Sequence, residues 1–130
     1  MTKRVLDVGQ CGPDHAAIQA CLKRHFDCEV TAAEGLDDTL AQLRGGPIDL
    51  VLVNRKLDRD YSDGVEIIRF LKASPRTAGV PVMMVTNYAN HQDEAVAAGA
   101  LRGFGEFELD SDQTYQKLAA VLGERGQHDE

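Results

Sequence analysis

Short apolar runs alternate along the chain with longer segments in which apolar residues recur every three or four positions. The short runs are typical of buried strands, and the longer segments are typical of amphipathic helices. The predicted strands are residues 4–8, 28–32, 49–54, 80–85 and 101–107. The predicted helices are residues 13–26, a segment containing Leu36, Leu40 and Leu43, a segment beginning near Asp63, residues 90–98 and residues 112–122. This alternation predicts an α/β fold in which helices cover both faces of an open parallel sheet.

Turn and capping residues separate these elements. Pro13 suits the first turn of a helix, and the run from Gly45 to Pro47 is expected to end the second helix. Asn90 together with Asp93 predicts an N-cap for the fourth helix. We expect a single domain over residues 1–123, followed by a polar tail over residues 124–130.

Composition narrows the classes of function. The chain is 43% hydrophobic and 27% charged, which is ordinary for a globular protein, and its formal net charge is −7. An acidic surface argues against binding to nucleic acid or to an anionic membrane. The sequence shows no signal peptide and no apolar run long enough to cross a bilayer, so we expect a cytoplasmic protein.

The cysteines give little indication of chemistry. There are three, they have no CxxC spacing, and we expect them to be reduced thiols: Cys11, Cys21 and Cys28. Cys11 precedes a helix N-terminus, a position that can lower a thiol pKa, but no nearby base supports a nucleophilic role.

Two polar residues interrupt or end apolar strands. Asp7 lies within the first predicted strand, where a buried carboxylate needs partners or a raised pKa, unless a shifted register exposes it. Asn54 ends the third strand, and strand ends at the carboxyl edge of a parallel sheet are where such folds place function.

Four segments together resemble the receiver domain of bacterial response regulators, over about residues 3 to 123. They are the third strand with its approach (47–53), the start of the third helix (63–68), the fourth strand with its terminal hydroxyl residue (80–86), and the small-residue segment before the fifth strand (97–100). The resemblance implies a flavodoxin-like, doubly wound (βα)5 fold with strand order 2-1-3-4-5.

The resemblance also implies a phosphorylation site, and this chain departs from its pattern. The family's nucleophilic aspartate corresponds to Asn54, and an amide has no negative charge with which to attack phosphorus or bind a metal. The family's acid pair, which helps to hold Mg²⁺, falls on Gly9 and Gln10, or on Gln10 and Cys11. Neither alignment supplies a carboxylate ligand.

The remaining family positions are equally altered, apart from the hydroxyl. Thr86 matches the switch hydroxyl, whereas the conserved lysine corresponds to Glu106 and the aromatic switch residue to Gly103. Glu106 would repel a phosphoryl group that lysine attracts. We therefore predict a degenerate member, or pseudo-receiver, that is not an enzyme and uses no cofactor or metal.

The roles of Asn54 and Glu106 in such a protein remain open between two readings each. The Asn54 amide could imitate a fixed state by bonding to Thr86 or Gln10, or it could simply be a satisfied strand end. Glu106 could form a permanent ion pair, or it could be a solvated acid; the candidate partners are Arg55, Lys56 and Arg102.

The resemblance places a partner surface on the fourth helix, the fifth strand and the fifth helix, at residues 90–98, 101–106 and 112–122. Tyr88 could anchor such a contact or could be a half-buried loop residue. We predict a stand-alone signalling module that binds another signalling protein, or a second copy of itself, through this surface without control by phosphate.

Two other functions remain as alternatives. A conventional phosphate-accepting regulator could use a substitute acid from the loop after Asn54, at Asp58, Asp60 or Asp63, although exposed loop acids usually only aid solubility. A flavin or small-anion binder could use the turn from Gly9 to Gly12 ahead of a helix N-terminus. That turn lacks the run of hydroxyl residues typical of a flavin phosphate loop.

Overall fold

The computed structural model describes residues 2–124, which form a five-stranded parallel sheet in the order β2-β1-β3-β4-β5. The strands are β1 (Lys3–Val8), β2 (Cys28–Ala33), β3 (Leu50–Asn54), β4 (Val82–Val85) and β5 (Leu101–Phe104). The helices are α1 (Gly12–His25), α2 (Leu36–Arg44), α3 (Gly64–Ala73), α4 (Ala89–Ala97) and α5 (Asp112–Leu122). The predicted fold class and strand order are therefore confirmed.

The central strand β3 shows how the sheet separates two cores. Its alternate side chains point to opposite faces, as in any strand, and all but the last are buried. Leu50 and Leu52 pack with residues of α1 and α5, whereas Val51 and Val53 pack with residues of α3 and α4. Burial on both faces explains why β3 is apolar almost throughout, because a parallel strand covered by helices has no solvated side.

The segment after β5 differs from the prediction. β5 ends at Phe104, not at residue 107, and a short 3₁₀-helix (Glu106–Glu108) follows it. The N–H groups of this segment bond to side chains, Gly105 N to Glu108 Oε1 and Phe107 N to Asn87 Oδ1, so they do not extend the sheet. After Phe104 the backbone N–H groups thus donate to side-chain oxygens and not to the backbone of a neighbouring strand.

The predicted cap of α4 is also wrong. The helix begins at Ala89 after Tyr88, which makes no side-chain cap bond, so Asn90 lies inside the helix. Asp93 instead forms an ion pair with Arg102 of β5 at 2.8 Å. Residues 125–130 of the predicted tail lie outside the described residues. No helix among residues 2–124 is both long and apolar enough to span a membrane.

Candidate functional site

The carboxyl ends of β1 and β3 are joined by a hydrogen bond from a side chain. Asn54 Nδ2 donates to the Gly9 carbonyl oxygen at 3.1 Å, and not to Thr86 or Gln10 as one reading predicted. Gly9 has a φ of +81°, and a Cβ there would clash with Leu57, so only glycine fits this turn. The Asn54 amide therefore ties the β3 end to the turn after β1.

Thr86 lies one strand further along the same edge. It is buried, its backbone N–H bonds to the Phe104 carbonyl at 3.0 Å, and its Oγ1 accepts a weak bond from Tyr88 N at 3.4 Å. The hydroxyl that the family pattern retains is thus bonded within its own loop.

Asp7 is fully buried within β1, and the register pairs it with Ala32 and Leu52, so the predicted alternative of an exposed strand end is wrong. Its Oδ2 lies 2.7 Å from His15 Nδ1 in the first turns of α1, while its Oδ1 has no hydrogen-bond partner. Burial raises the pKa of Asp7 from 3.8 to about 6, although the bond to His15 and the His15 charge oppose the shift. The sequence predicted that a buried carboxylate here would need such a partner, but not that it would be His15.

Glu106 does not form the predicted ion pair. Lys56 pairs with Asp63 and Arg102 with Asp93, whereas Glu106 lies against the Asp14 carboxyl group. Burial raises the Glu106 pKa, and the nearby charges and hydrogen bonding of Asp14, with the charge of Asp7, raise it further. The reading of Glu106 as a simply solvated acid is wrong as well.

These contacts bring three acids together at this edge, two of which do not occupy positions of the family pattern. Asp7, Asp14 and Glu106 interact there, with His15 as the neighbouring base. We call these four residues the carboxyl-edge cluster. Burial and the neighbouring carboxyl groups raise the pKa of Asp7 and of Glu106, and a cluster of acids repels rather than binds an anion.

Gln10 and Cys11 complete the turn beside this cluster. The Gln10 carboxamide lies close enough to Asp7 to lower its pKa, but neither of its buried polar atoms makes a hydrogen bond of regular geometry. A backbone hydrogen bond at Asp14 lowers the pKa of Cys11, but the Asp14 side chain, burial and the Asp58 charge outweigh it and raise the net pKa. The Cys11 thiol therefore lacks the lowered pKa that its position suggested.

The loop acids after β3 do not converge on Asn54. Asp60 accepts two bonds from Ser62, and Asp63 pairs with Lys56 at 2.6 Å. The bonds from Ser62 hold the pKa of Asp60 below its usual value, and Lys56 does the same for the pKa of Asp63. Asp58 is exposed, and its backbone N–H bonds to Gly9.

The Mg²⁺ ion of a receiver site does not fit these residues. Mg²⁺ needs oxygen ligands in near-octahedral geometry, and usually one or two carboxylates among them. Within residues 2–124 no group of three or more His, Cys, Asp or Glu side chains is arranged to hold a metal. The two acids that meet, Asp14 and Glu106, do not form such a group.

Gly103, which the family resemblance aligns with the aromatic-switch residue, has no room for a side chain. A Cβ at Gly103 would collide with the Met84 carbonyl oxygen, because β4 and β5 approach closely at a register shift. The buried Gln92 of α4 fills the interior instead. Its Oε1 accepts from Gly103 N at 2.8 Å, and its Nε2 donates to Met84 O at 3.0 Å and to Thr86 O at 3.2 Å. Gln92 thus joins α4, β4 and β5.

The Asn87 side chain also joins the segment after β4 to the segment after β5. Asn87 Oδ1 accepts from Phe107 N at 3.0 Å, and it would collide with a Cβ at Gly105. On α5, Lys117 Nζ donates to the Gly103 carbonyl at 3.0 Å. The segment after β4, the segment after β5 and α5 are therefore cross-linked by side chains.

Four large apolar side chains are exposed beside these cross-links. Phe107 is 90% exposed and Tyr88 62%, and Leu101 and Val96 are about half exposed. Tyr88 makes an edge contact with His91 at 5.6 Å but is not half-buried, so that alternative for Tyr88 is wrong. Together with α4, β5 and α5, Tyr88 and Phe107 form what we call the α4–β5–α5 surface.

Sequence reasoning missed Asp14, His15 and Gln92. His15 and Asp14 were visible as polar residues in the first turns of α1, but nothing in the sequence alone aligns them with Asp7 or Glu106. Gln92 lies three residues before Ala95, and both are buried, so helical spacing placed Gln92 on the inward face. This helical spacing could have identified Gln92 as a buried polar residue from the sequence.

The fold and this edge define a class of protein, a receiver-like domain. Residues 14–104 match the family described as the response regulator receiver domain, and the chain belongs to that family. No curated protein matches the chain.

Solved structures agree on the fold. The chain is similar to NtrX from Brucella abortus, with 19% identity and a TM-score of 0.77, over 94% of this chain but only 28% of the NtrX chain. It is also similar to a putative response regulator from Chloroflexus aurantiacus J-10-fl, with 18% identity and a TM-score of 0.74, over 94% and 98% of the two chains. Chemotaxis response regulator CheY4 of Vibrio cholerae shows 19% identity and a TM-score of 0.71, over 94% and 100%. At these identities the likeness concerns the fold alone.

Proposed function

We propose that this receiver domain acts in signal transduction as a pseudo-receiver, by binding a partner protein without control by phosphorylation. The observation that carries the proposal is the Asn54 side chain, which stands where the family has its phosphate acceptor and bonds to the Gly9 carbonyl. An amide in this position provides neither a nucleophile nor a metal ligand.

The interior behind the partner surface supports the same proposal. Receivers that respond to phosphate need the segment after β4 and the aromatic residue of β5 to rearrange. Here Gln92 holds that segment to β5 through buried hydrogen bonds, and Gly103 leaves no aromatic side chain to move. Buried polar networks that are satisfied hold one arrangement, because breaking them leaves unpaired groups.

The partner surface has the character expected of a binding site. Tyr88 and Phe107 are aromatic and largely exposed, and aromatic residues are enriched at the energetic centres of interfaces. The nearby ion pair between Arg102 and Asp93 supplies a polar rim. The partner is another signalling protein or a second copy of this chain.

The test is affinity capture from the native cell with matched surface variants. We expect the wild-type domain to retain a specific protein, and the Tyr88→Ser/Phe107→Ser variant to lose it. Tyr61→Ser is the control, since Tyr61 is 75% exposed but lies in the loop after β3. Sedimentation of the purified variants shows whether the partner is a second copy.

The same captures are repeated after treatment with acetyl phosphate and Mg²⁺. The proposal expects unchanged retention of the partner. Retention that requires phosphorylation, or that survives in the Tyr88→Ser/Phe107→Ser variant, contradicts it.

A further inference from the structure

At the amino edge of the sheet, opposite the carboxyl-edge cluster, lies a groove of about 810 Å³. It is formed by the last turn of α2, the loop before β3, the end of α3 and the loop before β4. Leu40, Leu43, Ile48, Phe70 and Val80 line it. Its volume lies within the range of about 300–1,000 Å³ that is usual for small-molecule sites.

The polar side chains of this groove have one sign of charge. Arg44 and Arg76 belong to its lining, and the lining contains no acid. Within residues 2–124 neither guanidinium group has a hydrogen-bond or ion-pair partner, whereas Arg24, Arg69 and Arg102 each pair with an acid. In a chain of net charge −7, two arginines without an acidic partner beside an apolar groove form a local positive site.

Phe70 shows that the apolar part of the groove is accessible. Its ring is 48% exposed although it belongs to a helix whose other large apolar residues are buried. The same ring also lines a smaller groove of about 390 Å³ further along α2 and α3. The exposed ring offers a surface on which an apolar group would be removed from water.

From this arrangement we propose that the groove binds a small amphiphilic anion, a molecule with an aliphatic or aromatic body and a carboxylate head. The body would lie along Leu40, Leu43 and Phe70. The head would lie between Arg44 and Arg76, because a guanidinium group forms paired, charge-assisted hydrogen bonds with a carboxylate. This proposal is independent of the partner surface, because none of the groove residues belongs to the α4–β5–α5 surface.

The probe is decanoate below its micelle concentration, with decanol and decylamine as neutral and cationic controls, observed by amide NMR and calorimetry. We expect saturable one-to-one binding of decanoate, with shifted amide signals between residues 40–48 and 70–80. Decanol is expected to bind at least about tenfold more weakly, which corresponds to the loss of one charge-assisted contact. Decylamine is expected not to bind in this groove.

Variants separate the charge from the apolar body. Arg44→Gln/Arg76→Gln should weaken decanoate binding about tenfold or more and leave decanol binding unchanged. Arg24→Gln/Arg102→Gln, which removes the same charge from paired arginines, should leave both unchanged. Phe70→Ala should weaken both ligands, and thermal unfolding of each variant confirms that it is folded.

Several results would overturn the proposal. They are the absence of saturable decanoate binding, equal binding of decanol and decanoate, binding unaffected by Arg44→Gln/Arg76→Gln, or shifts centred on Tyr88 and Phe107. A wild-type dimer that Phe70→Ala dissociates would also overturn it, because a second copy would then occupy the groove.

Discussion

The charged side chains at the two edges of the sheet differ in burial and in whether they have partners. At the carboxyl edge Asp7, Asp14, His15 and Glu106 interact with one another and are partly or fully buried. At the amino edge Arg44 and Arg76 are exposed and unpartnered within residues 2–124, beside an apolar groove. The charges of the carboxyl edge therefore interact with one another, whereas the two arginines of the amino edge leave their charges exposed to solvent.

The largest expected effect on the free energy of unfolding comes from replacing Gln92, near the carboxyl edge. Gln92→Leu leaves Gly103 N without its partner and removes donors from the Met84 and Thr86 carbonyls. We expect the free energy of unfolding to fall by about 3 kcal/mol, because buried polar groups lose their partners. Urea denaturation measures it, with Gln116→Leu on the exposed face of α5 as the control. Equal stability of the two variants would contradict the role of Gln92 as a cross-link.

The next largest effect on stability is expected from Asp7→Asn, and it depends on pH. The folded pKa of about 6 lies above the ordinary 3.8, so the folded protein binds a proton that the unfolded chain has released between these values. Stability from Asp7 is therefore present below about pH 4 and is lost as the pH rises through 6. Asp7→Asn, which cannot ionise, is expected to be more stable than wild type by about 2 kcal/mol at pH 7.5 and nearly equal to it at pH 4.

The groups that act on the Asp7 carboxyl include His15, Gln10, Asp14 and Glu106. Urea denaturation at the two pH values provides the measurement, and Asp112→Asn in the exposed first turn of α5 is a control. A variant that is less stable than wild type at pH 7.5 would show that the Asp7–His15 ion pair outweighs burial.

A smaller effect is expected from Glu106, where the family has lysine. Glu106→Lys replaces the repulsion between Glu106 and Asp14 by attraction. We expect a gain of less than about 1 kcal/mol at pH 7.5, because the group is only partly buried and the interaction is screened. Thermal denaturation at low and high salt tests this, and Glu94→Lys on exposed α4 should show no comparable gain. A loss of stability would mean that Glu106 and Asp14 share a favourable proton.

The smallest effect is expected at the amino edge. Arg44→Gln/Arg76→Gln should change the free energy of unfolding by no more than about 0.5 kcal/mol, since neither guanidinium has a partner to lose. A larger loss would show that these charges stabilise the helix ends, as basic residues near a helix C-terminus can, and would remove the contrast between the two edges.

The same contrast explains what could be predicted from sequence. The strands, the helices and the strand order followed from apolar periodicity and the family resemblance, because burial on both faces of β3 leaves a pattern in the chain itself. The contact between Asp14 and Glu106 could not be predicted, since it joins the first helix to the segment after the last strand. The early end of β5 could not be predicted either, because it depends on the side chains of Asn87 and Glu108 accepting hydrogen bonds from backbone N–H groups.

The partner of Asn54 shows the limit within the site. The family resemblance predicted that Asn54 corresponds to the acceptor aspartate. It left open whether the amide would bond to Thr86 or Gln10 or would simply be a satisfied strand end. The answer, the Gly9 carbonyl, depends on a backbone turn that only the left-handed conformation of Gly9 allows.

Intact-mass analysis after incubation with acetyl phosphate and Mg²⁺, on wild-type protein and the Asn54→Asp variant, shows whether this domain can accept a phosphoryl group. We expect no phosphoryl adduct on wild type, because β3 ends in the amide of Asn54 and no group of three or more His, Cys, Asp or Glu side chains within residues 2–124 is arranged to hold a metal. A stoichiometric adduct on wild type, mapped to Asp58, Asp60, Asp63 or any other carboxylate, would contradict this expectation.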